Sequence, residues 1–154
     1  MEKQITRTDF EAGLEYIISA VISTQEERKP FIFTVIGSQH SGKSELKTGA
    51  IERLASLGVY GWVGYTYDPP EIIRQRSIPD PDFILIQDVS TPACSDRYSR
   101  QLFVKSPDLR VYISAAGCEI NIDDLRDIAF GVYDLVIENS HATDNGKYNG
   151  EGAK

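Results

Sequence analysis

Four residues, Gly37, Gly42, Lys43 and Ser44, stand at the spacing G-x-x-x-x-G-K-[ST] within "GSQHSGKS". Each type has a use if the group to be held is a polyphosphate. Glycines let the backbone curl until successive amides face inward, the lysine ammonium neutralises β and γ phosphates, and the serine hydroxyl is offered to Mg²⁺. The intervening Ser38, Gln39, His40 and Ser41 would act mainly through their backbone amides. His40 is the unusual member, its imidazole free to face solvent, a neighbouring loop or a phosphate. All eight residues from Gly37 to Ser44 are therefore candidate nucleotide-binding positions, with Lys43 a candidate catalytic cation as well.

Such a loop works only between particular elements. Before it, "FIFTVI" (31–36) is apolar and β-rich, as a strand covered on both faces is. After it, Leu46, Ala50, Ile51, Leu54 and Leu57 form one stripe of a helix predicted over about 43–57, with Gly58 as its stop. The helix would aim its free amides and the positive end of its dipole at the same anion. Further strands are predicted at about 59–67, at "DFILIQD", at "LRVYISA" and at "YDLVIEN", with helices near 95–103 and in "NIDDLRDIAFGV". Ahead of all these, Thr8 and Glu11 have capping-box spacing, and Phe10, Leu14, Ile17, Ile18, Val21 and Ile22 recur at helical intervals to about residue 28. Strands alternating with helices imply an α/β layer structure with a mostly parallel sheet, here of five strands.

Through "GSQHSGKS" as a Walker A motif and "FILIQD" as a Walker B-like strand end, the chain resembles the P-loop NTPase superfamily. The resemblance implies a three-layer P-loop fold with an extra N-terminal helix, ATP and Mg²⁺ as ligands, and Asp88 joining Ser44 at the metal. The alternative for Asp88 is a residue that ends a strand in a turn. Val89 stands where many ATPase engines carry glutamate, and neither an Asp-x-x-Gly switch nor an Asn-Lys-x-Asp motif is present. Among the branches, the segment order is similar to that of small-molecule and nucleoside-type kinases, which implies an acceptor-side base at Asp68 of "YTYDPP". The same Asp-Pro-Pro is also a turn former. Arg74, Arg76, Arg97 and Arg100 are candidate phosphate clamps or solvated surface. Little chain separates the fourth strand from the next helix to hold an arginine-rich lid. The leading expectation is an ATP-dependent phosphotransferase acting on a small-molecule acceptor. The alternatives are a non-catalytic or slowly hydrolysing nucleotide-dependent regulator, in which the first helix and the tail contact a protein partner, and a GTP-binding adaptor similar to those of molybdopterin-guanine dinucleotide synthesis.

Composition bounds these readings. A chain of 154 residues fits one domain, read as an N-terminal helix (1–30), a nucleotide-binding core (31–140) and a flexible tail (141–154). A net charge of −7 argues against a broad nucleic-acid surface, while one lysine and a nest of amides can still hold a small anion. Apolar runs of strand length argue against a membrane partner, and the start "MEKQITRTDFE" has no signal-peptide centre, so a cytoplasmic protein is expected. Cys94 and Cys118 lack metal or redox spacing and are expected as thiols. Tyr60, Trp62, Tyr65 and Tyr67 are expected to pack on alternating strand faces.

Overall fold

The computed structural model describes residues 5–24, 30–38, 40–65, 81–87, 91–103 and 105–141. In chain order the elements are β1 (Thr6–Thr8), α1 (Phe10–Ser23), β2 (Phe31–Gly37), α2 (Lys43–Ser56), β3 (Gly61–Tyr65), β4 (Phe83–Gln87), α3 (Pro92–Phe103), β5 (Leu109–Ala115), α4 (Ile122–Ala129) and β6 (Leu135–Asn139). The six strands form one sheet in the order β1-β6-β5-β2-β4-β3, every pairing parallel. The architecture is α/β, with helices on both faces of the sheet.

Alternation along β2 explains the layers. Phe31, Phe33 and Val35 pack with Leu14, Ile17 and Val21 of α1 and Leu46, Ala50 and Leu54 of α2. Ile32 and Ile36 point the other way, into a cluster with Tyr98 of α3 and Ile128 of α4. Each fully buried Leu, Ile or Phe contributes about 1.5–3 kcal/mol of transfer free energy, so a strand apolar on both faces is held at the centre. Ser95 and Ser99 let α3 lie close to the sheet, their hydroxyls donating to the carbonyls of Pro92 and Lys105 at 2.9 and 2.6 Å. The rings of Tyr112 and Tyr133 meet in the second cluster with centroids 5.2 Å apart and planes tilted by 52°, and burial pushes both phenols well above the ordinary tyrosine value. The Tyr112 hydroxyl donates to Asp124 of α4 at 2.7 Å.

The layer on which each helix lies fixes where a ligand can enter. Connections through α1 and α2 run towards β3 on one face, and those through α3 and α4 run towards β1 on the other, as a single hand of crossover requires. β2 is thus followed by a helix on one face, while its neighbours β4 and β5 are followed by helices on the opposite face. Such a reversal opens a crevice at the carboxyl end of the strand concerned. The opposite edge is sealed by aspartates. Asp82, Asp108 and Asp134 each precede a strand and accept a backbone amide, from Tyr60, Ile32 and Arg110 respectively, at 2.7–2.9 Å. Three carboxylates of an acidic chain are thereby placed away from the crevice.

Four expectations are corrected. The sheet has six strands rather than five, because "TRT" adds β1 along β6 (Thr6 opposite Leu135). Three residues without apolar alternation carry no strand signal, and the pairing is supplied by the neighbouring edge. The α1 cap is Asp9 rather than Thr8, with its carboxylate accepting from Phe10 N at 2.8 Å; Thr8 is spent on β1. Asp9 also accepts from the Ser140 amide and hydroxyl, and these hydrogen bonds hold its carboxyl below the usual carboxylate range. α1 ends at Ser23, where the Thr24 hydroxyl turns back to the Ala20 carbonyl at 2.8 Å, so it does not extend to residue 28. Tyr60 precedes β3 and is exposed, so it does not pack on a strand face. Tyr67 and the tail from 142 onward lie outside the described residues. Neither Cys94 nor Cys118 is joined in a disulfide. Among the described residues no helix is long and apolar enough to cross a membrane.

Candidate phosphate-binding site

The segment from Gly37 to Lys43 leaves β2 at the crevice and turns directly into α2. Its path depends on two glycines. Gly37 is the last residue of β2 and lies opposite Ile113 of β5; a Cβ there would run into the Ile113 carbonyl oxygen, with Ile113 Cγ2 and Ser41 Oγ each 2.9 Å away. Gly42, the N-cap of α2, has φ 104°, a conformation in which a side chain is strained. His40 is exposed and takes φ 62°, one of the few ways a non-glycine residue can reverse the chain. Backbone of this kind persists only where its surroundings over-determine it, and it clusters at ligand-gripping loops.

Those surroundings are visible. The Ser41 amide donates to the Ser38 carbonyl at 3.3 Å, closing the turn. The Lys43 ammonium reaches back across the loop to the Gly37 carbonyl at 3.0 Å. From β6, the buried Asn139 side chain donates through Nδ2 to the Ser41 carbonyl at 3.1 Å. Leu46 N bonds Gly42 O at 2.9 Å, so the helical ladder of α2 begins there and the first amides of the helix have no carbonyl a turn earlier within it. These amides and the helix dipole make this end attractive to an anion. Ser41 is fully buried, and its hydroxyl has no hydrogen-bond partner among the described residues. An orphaned buried hydroxyl costs about 1–3 kcal/mol, a cost that a bound acceptor would relieve.

The expected residues fall into three groups. Gly37, Ser38, His40, Ser41, Gly42 and Lys43 are brought together in the loop. Ser44 lies on the exposed flank of the first turn of α2, in an open groove with Glu45, Thr48, Gly49 and Glu52. Its oxygen donors suit a hard cation on that side. Among the described residues no three His, Cys, Asp or Glu side chains converge as a metal cluster. Gln39, Asp68, Asp88, Arg74 and Arg76 lie outside the described residues, and Arg97 and Arg100 are exposed on α3.

Two residues escaped the sequence reading. Asn139 ends an apolar strand and looks like a turn residue; nothing in its neighbourhood signals a partner 98 positions earlier. Gln87 is 3% exposed at the end of β4, with an Oε1 that has no partner among the described residues. The pairing of Ile86 with Thr34 puts Gln87 level with Val35, two residues before the loop begins. A polar residue closing an otherwise apolar strand was the available signal. No family model matches the chain, and no curated protein matches it.

Proposed function

We propose that this is a P-loop protein that binds a nucleoside triphosphate with Mg²⁺, ATP in the leading reading, and that it transfers the terminal phosphoryl group to a small-molecule acceptor. The observation that carries the reading is the loop after the central strand. It bends through left-handed backbone at His40 and Gly42, opens onto the amino end of a fourteen-residue helix, and is spanned by the Lys43 ammonium. An orphaned Ser41 hydroxyl and a Gly37 that tolerates no Cβ add to it. The residues fit a phosphate chain and offer oxygen donors to a cation, so in this reading the fold is a three-layer P-loop fold.

Within it, Lys43 exchanges the Gly37 carbonyl for β and γ oxygens, and the loop amides hold the phosphates in place. Ser44, with Asp88, would hold Mg²⁺, which supplies neutralisation of the charge that builds on the leaving group. Asp68 would orient the acceptor hydroxyl and take its proton. A second reading, a nucleotide-dependent regulator, is favoured by a specific surface: Ile122 (70% exposed), Leu125 and Phe130 (78%) lie uncovered on and just after α4, as a protein-docking patch would.

Titration calorimetry with MgATP and MgGTP tests the reading. The wild type is expected to bind a triphosphate and Lys43→Ala to lose at least tenfold in affinity; no heat from either triphosphate overturns it. ADP formation that rises with one member of a panel of hydroxyl acceptors supports the phosphotransferase. A flat response favours the regulator, and tighter binding of GDP than ADP favours the adaptor of molybdopterin-guanine dinucleotide synthesis.

A further inference from the structure

We propose that Asn139, at the carboxyl end of β6, is a positioning residue that presets the Gly42 amide for phosphate, which rests on the reading of the loop given above. The argument starts with the peptide plane. A trans peptide points its carbonyl and its N–H in opposite directions. The carbonyl of Ser41 and the N–H of Gly42 belong to one such plane, and Asn139 Nδ2 pins the carbonyl at 3.1 Å on the sheet side of the loop. The Gly42 N–H is therefore directed away from Asn139, the side on which this reading places the phosphate. Without that anchor the plane is free to rotate, because Gly42 has no Cβ and admits either sense of turn.

The anchor is itself fixed. Asn139 is fully buried, its Oδ1 accepts from the His141 amide at 3.0 Å, and its carbonyl accepts from Ala116 N at 2.9 Å. Occupation of Oδ1 by a backbone donor settles which end of the amide faces the loop, so Nδ2 must face the Ser41 carbonyl. The next residue, Ser140, is held by Asp9 at 2.8 Å, tying the strand end to the start of α1. β6 thus reaches past β5 to the loop, and the amide orientation becomes a property of the sheet, set before any ligand arrives. Pre-orientation of this kind raises affinity by removing the ordering cost from the binding step.

The test compares wild type, Asn139→Leu, Asn139→Asp and Lys43→Ala for binding of inorganic tripolyphosphate with Mg²⁺, with melting midpoints recorded for each. Leucine keeps the volume and removes the donor, and aspartate keeps the shape while setting a carboxylate oxygen against the Ser41 carbonyl. The expected result is a tenfold or greater loss of tripolyphosphate affinity in both Asn139 variants. In the wild type the Gly42 amide resonance is expected to shift downfield on adding tripolyphosphate, and in a folded Asn139 variant to stay in place. A merely structural role would leave the ligand-induced Gly42 shift intact in the folded, saturated fraction, so a variant that melts early is scored at low temperature and saturating tripolyphosphate; should neither Asn139 variant fold, Asn139→Ser is scored in their place. A folded Asn139 variant that binds tripolyphosphate like wild type, with the same Gly42 shift, overturns the proposal. If wild type itself binds no tripolyphosphate, the loop reading fails first.

Discussion

Replacing Gly37 by alanine isolates one cause of the loop's shape. Gly37 has an ordinary negative φ, so the substitution adds no backbone strain; the whole effect is steric. The new methyl group would meet the backbone carbonyl of Ile113, which belongs to β5 and cannot rotate aside, and would press on Ser41 Oγ at 2.9 Å. Relief requires separating β2 from β5 at their carboxyl ends or lifting the loop. Overpacking of a filled interior costs about 1–3 kcal/mol. For a chain of 154 residues each kcal/mol lowers the melting midpoint by roughly 2–4 °C, so Gly37→Ala should melt about 2–12 °C below wild type. Either movement also displaces Ser41 and the Gly37 carbonyl that receives Lys43, so triphosphate affinity should fall with it. Gly42→Ala is the matched comparison: its φ of 104° makes the cost conformational, about 1–2 kcal/mol, at the residue that caps α2. Thermal unfolding by circular dichroism and calorimetric titration with MgATP read both effects. A Gly37→Ala protein with unchanged midpoint and unchanged affinity would refute the claim that contact with β5 shapes the loop.

Lys43→Ala removes a charge-assisted contact of about 1.5–3 kcal/mol, so triphosphate affinity should fall roughly 10- to 100-fold with little change in melting midpoint. Asp9→Ala should cost about 1 kcal/mol at neutral pH through loss of the α1 cap. Hydrogen bonds lower the folded-state pKa of Asp9, so its contribution is present above the ordinary carboxylate range and is lost as pH falls through the folded value. The gap between wild type and Asp9→Ala in urea midpoints should therefore close on acidification. Tyr112→Phe deletes the 2.7 Å bond to Asp124 and should destabilise by about 1 kcal/mol, while ultraviolet titration of wild type should show this phenol ionising only well above the ordinary tyrosine range.

How much of this was legible depends on how far each signal reaches. Elements whose residues face two covered surfaces could be read locally: β5 was predicted at 109–115 and occupies Leu109–Ala115, and α2, predicted over about 43–57, runs Lys43–Ser56. Periodicity records burial, and burial is strongest at the centre. β1 was missed because an edge strand of three residues is half exposed and takes its register from β6 alone. The cap of α1 was misplaced by one residue for a related reason, since Thr8 and Asp9 are both cap formers and only the pairing of Thr8 with Ile137 decides between them. Within the site, the loop and the helix behind it follow from eight adjacent residues. What supports them does not: Ile113 and Asn139 come from strands far along the chain, and no pattern around either one reports the contact.

The shape of the loop after β2 is therefore better regarded as a product of strand order than of its own eight residues. β2 has β5 on one side, close enough that a Cβ on Gly37 would meet the Ile113 carbonyl, and beyond β5 lies β6, whose last residue reaches the Ser41 carbonyl. Had β5 and β6 exchanged places, the Ile113 carbonyl would no longer face Gly37, and that support would be lost with the loop sequence intact. The same order bears on how an acidic chain would accommodate an anion in the proposed reading. Asp82, Asp108 and Asp134 are consumed as amide acceptors at the amino edge of the sheet, while the carboxyl edge carries the helix amides and Lys43, with Asp9 there occupied by donors from Phe10 and Ser140. The net charge of −7 describes the chain as a whole, and the parallel sheet, by giving its two edges different chemistry, separates that total from the local field at the loop.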